Sequence, residues 1–161
     1  VKKKEDVDKY VVVYFGSILP LQGIDVIVNA AAKLKDREDI KFYIIGPVKD
    51  EKLTDNVVNI EWLSQNELAE YIAMADLCLA GHFNGNNNKA NRTIPGKAYI
   101  YELMGRPMIL GDNPATHELF EEDGKHFFVE MSNPQALADR IVQCADESAG
   151  KTVSKTGRQE N

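Results

Sequence analysis

Three cations, Lys89, Arg92 and Lys97, surround the junction Ile94-Pro95-Gly96, where a loop gives way to a helical pattern. Phosphates need fixed donors and positive charge, and both meet where a helix begins. The same three residues would also serve as an ordinary solvated basic patch, and spacing alone leaves both readings open. A second group lies in Gly16-Ser17-Ile18-Leu19-Pro20-Leu21-Gln22-Gly23. Glycine after a strand lets a ligand approach the backbone, and the following helix start favours an anion. The turn is neither a GxGxxG fingerprint nor a Walker loop, so a plain strand-to-helix turn fits it equally. A third group is Asn113-Pro114-Ala115-Thr116-His117-Glu118, which opens a helix. Glu118 is suited to holding a sugar hydroxyl, or to being a surface carboxylate. His117 is its neighbour, and adjacent helical residues point apart, so the two do not form an acid–base pair. His82, beside Phe83 in a polar loop, can face solvent or hydrogen-bond a phosphate or sugar. His126 opens a strand and reads as structural. Trp62 reads as a packing residue, with stacking on a base as the alternative.

Other chemistries lack their residues. There is no Gly-x-Ser-x-Gly and no Cys/His pairing for nucleophilic attack. No Cys/His cluster has metal-ligand spacing. Cys78 and Cys144 sit in apolar or helical stretches and read as reduced core cysteines of a cytoplasmic protein. The formal net charge of -6 gives no general attraction to nucleic acid. No apolar run approaches the ~20 residues of a membrane span. The charged start Val1-Lys2-Lys3-Lys4 has no apolar segment after it, unlike a signal peptide.

The elements that must position these residues alternate in type. Val11–Phe15, Lys41–Ile45, Val57–Glu61, Asp76–Leu79, Met108–Leu110 and His126–Glu130 are short apolar runs and predict six strands. Between them the spacing predicts helices over Gly23–Lys35, Gln65–Met74, Lys97–Met104 and Pro114–Glu121, with a last one from Asn133-Pro134 to about Ala145. Ser64-Gln65-Asn66-Glu67 is a capping box, and Asn113 a cap with proline behind it. This order predicts an α/β fold, a Rossmann-like parallel sheet of about six strands with helices on both faces. Residues 1–9 are expected to be a linker from a missing N-terminal domain, 10–147 the binding domain, and 148–161 a frayed or truncated tail. The turn at 16–23 and the long Gly- and Asn-rich loop at 80–96 both follow strands, at the edge where such sheets bind ligands.

The order of these pieces resembles the C-terminal, donor-binding domain of family 4 retaining glycosyltransferases of the GT-B fold, the glycosyl transferases group 1. The matching runs are Tyr14-Phe15-Gly16-Ser17-Ile18 with Gln22-Gly23-Ile24-Asp25, then Phe42-Tyr43-Ile44-Ile45-Gly46, Val58 to Leu63, Ala75-Asp76-Leu77-Cys78-Leu79, Ile94-Pro95-Gly96-Lys97-Ala98-Tyr99 through Gly105-Arg106-Pro107-Met108-Ile109, and Glu118-Leu119-Phe120 with Asp123-Gly124. The resemblance covers about residues 10–146. It implies that this half of a GT-B fold binds a nucleoside-diphosphate sugar, while the absent N-terminal domain brings a glycan or lipid-linked acceptor. It implies a hexosyltransferase type of activity, without metal or cofactor, in which cations and backbone N–H groups neutralise the leaving diphosphate. The setting implied is polysaccharide or glycolipid synthesis in the cytoplasm, with membrane association only through the missing half. The 161 residues alone are then expected to bind donor without turning it over. The donor-binding residues so assigned are Gly16, Ser17, Gln22, His82, Lys89, Arg92, Lys97 and Glu118; catalytic residues are not assigned.

The chain departs from the family pattern at four positions. Ser17 and Gln22 stand where the first loop commonly carries cations, and Gln22 can donate a hydrogen bond but brings no charge. The family's second glutamate, which holds ribose hydroxyls, falls at Ile100, and its partner at Arg92. Glu102 is two positions on and faces elsewhere on a helix. Lys89, Arg92 and Lys97 would then carry the phosphate charge. The departures leave room for a non-catalytic homologue acting as a binding module, and the architecture also suits a nucleotide-sugar epimerase.

Overall fold

The structure, a computed structural model, describes residues 2–16, 23–48, 52–81, 83–84 and 96–160, the last ten of these by backbone alone. A 3₁₀ turn, Lys4–Asp6, leads into β1 (Tyr10–Phe15). There follow α1 (Ile24–Lys33), β2 (Ile40–Ile45), β3 (Val57–Ile60), α2 (Gln65–Met74), β4 (Leu77–Gly81), α3 (Gly96–Leu103), β5 (Met108–Gly111), α4 (Pro114–Leu119), β6 (His126–Val129) and α5 (Pro134–Glu160). The six strands form one sheet in the order β3-β2-β1-β4-β5-β6, every pairing parallel. The expected Rossmann-like sheet is the one observed.

Alternation along each strand sends side chains to two separate cores. Val12, Tyr14, Phe42, Ile44, Leu77 and Leu79 pack beneath α1 and α5. Val11, Val13, Tyr43, Cys78, Met108 and Leu110 pack beneath α2 and α3. Both faces of the central strands are covered, which is why they read as unbroken apolar runs rather than alternating ones. Both cysteines are buried and free. Burial pushes the Cys78 thiol up to about 12 and that of Cys144 up to about 11.

Local signals placed several helix ends. Ser64 Oγ accepts from the Glu67 N–H at 3.2 Å, and Glu67 Oε1 accepts from the Ser64 N–H at 3.3 Å, which is the predicted capping box. The last helix is longer than its apolar pattern, running to Glu160 rather than to about Ala145. Apolar spacing marks where a helix packs, and a solvated stretch can stay helical beyond that point. The described residues before β1 are anchored to the sheet. Asp6 is fully buried; it accepts from Lys41 Nζ at 2.7 Å and from the Tyr43 hydroxyl. Lys2 Nζ lies 2.5 Å from Asp76.

Candidate functional site

The chain winds outward from β1 twice, first through β2 and β3, then through β4, β5 and β6. The reversal falls between β1 and β4. In parallel sheets of this kind ligands bind outside the carboxyl ends of the strands that flank such a reversal. Four described positions lie toward that end: Gly16 after β1, Gly23 before α1, Phe83-Asn84 after β4, and Lys97 in the first turn of α3.

Close backbone packing fixes the rim. Gly23 caps α1 in the left-handed region, with φ 73°. A Cβ there would stand 2.7 Å from Phe83 Cβ and 2.9 Å from its carbonyl carbon. Glycine is therefore required, and the start of α1 abuts the exit of β4. Phe83 is itself fully buried, and its carbonyl accepts from the Ser132 N–H at 2.6 Å. The exits of β4 and β6 are thereby tied together.

Lys97 is the charged group of this edge. It is only 8% exposed. Its ammonium lies 5.2 Å from the centroid of the Tyr14 ring and 5.8 Å from that of Phe15, within cation–π range. Both rings belong to the last two residues of β1, so Lys97 reaches across to the strand that ends in Gly16. Tyr101, one turn further along α3, seats the helix: its hydroxyl donates to the Leu79 carbonyl at 3.0 Å, and its ring meets Phe15 edge-on at 5.7 Å. Burial disfavours the ammonium and pulls the Lys97 pKa down to about 8. An anion bound beside it would offset the cost of that buried charge.

Glu118 stands apart from this pair. It is exposed on α4, beyond the carboxyl end of β5. β5 lies two strands from β1, roughly 10 Å across the sheet at ~4.8 Å per strand. α4 is set by Asn113, whose Oδ1 accepts from the Thr116 N–H at 3.0 Å, while Thr116 Oγ1 donates to the Gly111 carbonyl at 2.7 Å. His117 turns back to Asp112 at 2.6 Å and stacks on Phe128. It does not act with Glu118. Ser17, Gln22, His82, Lys89 and Arg92 lie outside the described residues. The structure thus places Lys97 over Tyr14 and Phe15, the two residues before Gly16, and sets Glu118 beyond β5 on the same edge.

Residues 9–147 match the family model described as glycosyl transferases group 1. The chain belongs to this family. A comparison of the sequence with curated proteins finds no match. Among solved structures, this group 1 domain is similar to HepE of Anabaena, crystallised with UDP and glucose: TM-score 0.69, 17% identity, covering 90% of this chain and 41% of that one. It is similar to the C-terminal domain of the group 1 family protein LpcC of Francisella tularensis: TM-score 0.67, 19% identity, covering 87% and 77%. Sucrose-phosphate synthase of Thermosynechococcus elongatus gives TM-score 0.68, 18% identity, and coverage of 88% and 37%. At these identities the likeness shows the fold. The chain spans 41% of the length of HepE.

Sequence reasoning about this group 1 domain missed the aromatic seat of Lys97. Tyr14 and Phe15 read as core residues of a strand, and nothing local pairs them with a cation 82 or 83 positions away. It also missed the contact between Gly23 and Phe83, although an isolated glycine opening a helix was a usable signal. Trp62 is 76% exposed beyond β3, so packing into the core is ruled out for it. Among the described residues no cluster of His, Cys, Asp and Glu could hold a metal ion, and no helix is long and apolar enough to cross a membrane.

Proposed function

We propose that this domain is the donor-binding half of a retaining, family 4 glycosyltransferase, taking a nucleoside-diphosphate sugar at the carboxyl ends of β1 and β4. The observation that carries this reading is the buried Lys97 ammonium beside the end of β1. Membership in a glycosyltransferase family supports it, as does the UDP and glucose bound by HepE. Gly16, having no side chain, lets the diphosphate approach the backbone closely, Lys97 supplies charge, and the start of α3 adds its dipole. Together they stabilise the negative charge that grows on the leaving diphosphate as the sugar departs. Glu118 holds the sugar from the β5 side. A separate domain brings a glycan or lipid-linked acceptor, and the reaction takes place in the cytoplasm.

A direct test is titration of the 161-residue chain with UDP, GDP and ADP sugars, by calorimetry or saturation-transfer NMR. One of them binds, Lys97→Met removes that binding, and no sugar transfer is detected without an acceptor domain. Failure of all three to bind sinks the reading. One observation favours the alternative of a non-catalytic binding module. Ile100 replaces the family's ribose-binding glutamate and is 42% exposed on α3, where it offers a ribose no hydrogen bond. Substituting Ile100→Glu separates the two: donor affinity rises if the nucleotide site is in use.

A further inference from the structure

His126 opens β6 and is 9% exposed. Its two ring nitrogens face carboxylates on two different elements. Nε2 lies against Glu102 on α3, and Nδ1 lies 3.0 Å from Asp123 Oδ1 in the turn before β6. Phe120, at the end of α4, stacks on the imidazole at 4.9 Å. β5 sets Met108 beside it in register. Tyr99 and Glu121 line the same groove, and Lys125 precedes His126 on the exposed surface.

A neutral imidazole has one N–H and one lone pair, so between two carboxylates one contact must turn repulsive. An imidazolium donates to both. Asp123 is pinned independently, because its Oδ1 also accepts the N–H groups of Lys125 at 2.7 Å and His126 at 2.8 Å. Glu102 is half exposed and can turn into solvent.

We infer that His126 is a proton-operated latch between α3 and the β6 edge, which grips Glu102 when the imidazole is charged and releases it when the proton leaves. Burial alone would lower the pKa of this histidine; the bonds to Glu102 and Asp123 outweigh it and raise the value above the ordinary one. The latch therefore holds below the free-histidine range and opens as pH rises through the folded value. Its consequence for function rests on the donor-binding reading above: Lys97 and Glu102 share α3, so opening the latch loosens the helix that presents the ammonium.

The test is an NMR titration of the imidazole carbons together with amide exchange. His126 titrates with a midpoint above ~6.5. α3 amides, corrected for intrinsic exchange, lose protection several-fold across that midpoint while β1 amides do not. In Glu102→Gln the midpoint falls and the α3 step disappears. The proposal is overturned by a His126 midpoint at or below ~6.5, or by α3 protection that ignores it. UDP titrations separate the two readings. If His126 and α3 behave as stated but UDP binds at no pH, the latch is supported and the donor reading falls.

Discussion

Gly46 and Gly16 meet back to back at the carboxyl edge of the sheet: a Cβ on Gly46 would lie 2.0 Å from the Gly16 carbonyl oxygen. The exits of β1 and β2 are thereby clamped. The Gly16 N–H donates to the Ile45 carbonyl at 3.0 Å, the Gly46 N–H donates to Ile60 at 2.8 Å, and Asn59 Nδ2 donates to the Gly46 carbonyl at 2.9 Å. With φ at 124°, Gly46 occupies a region that side chains rarely adopt. Gly46→Ala is expected to cost roughly 2–4 kcal/mol, from strain plus overlap with backbone that cannot rotate away. Urea denaturation measures it, and a loss under ~1 kcal/mol would show that the clamp yields easily.

Lys97 should trade stability for binding. Its folded pKa, about 8, is below that of an unfolded lysine. Between those values the unfolded chain binds more protons, so stability rises with pH across that window. Lys97→Met removes the slope and stabilises the fold at neutral pH by up to about 3 kcal/mol, while abolishing donor binding. Denaturation midpoints at pH 7 and pH 10 check this. A variant less stable than the wild type at pH 7 contradicts the assignment of a buried, strained charge.

Asp6 should show the opposite dependence. Burial acts to raise its pKa, but the bonds from Lys41 and Tyr43 prevail and hold it below the ordinary carboxylate value. Its contribution is present above the unfolded value of ~3.9 and is lost as pH falls through the folded one. Asp6→Asn should cost about 2 kcal/mol at pH 7, since it leaves Lys41 without its buried partner. The gap between the two proteins should close in acid. A gap that stays constant down to pH 2 would mean that packing, not charge, anchors the N-terminal segment.

Glu118 and Asn113 separate sugar recognition from helix stability. Glu118→Gln is expected to weaken binding of UDP-glucose about tenfold and leave UDP unchanged. Asn113→Ala removes the cap of a short helix and should cost about 1 kcal/mol. It should also shift UDP-glucose affinity in the same direction as Glu118→Gln. Equal losses for UDP and UDP-glucose in Glu118→Gln would place the carboxylate on the nucleotide instead.

Strand and helix order were legible in the sequence because they rest on local periodicity. Val11–Phe15 is apolar throughout, and a strand covered on both faces needs that pattern. Ser64 and Glu67 are three residues apart, so their reciprocal bonds form within one turn. From these signals follow six strands, their alternation with helices, and the edge where Gly16 and Lys97 would meet. Ile100 and Gln22 likewise showed from the chain alone that the family pattern was altered. The tertiary structure decided everything that depends on distant partners. It placed Lys97 over the rings of Tyr14 and Phe15, locked Gly23 against Phe83, and set His126 between Glu102 and Asp123. It also turned the charged residues 2–9 into an anchored segment, by burying Asp6 under Lys41 and Tyr43. Local pattern reports which face of an element will be covered. Which particular groups cover it depends on the sheet order, and that is fixed only when all six strands assemble.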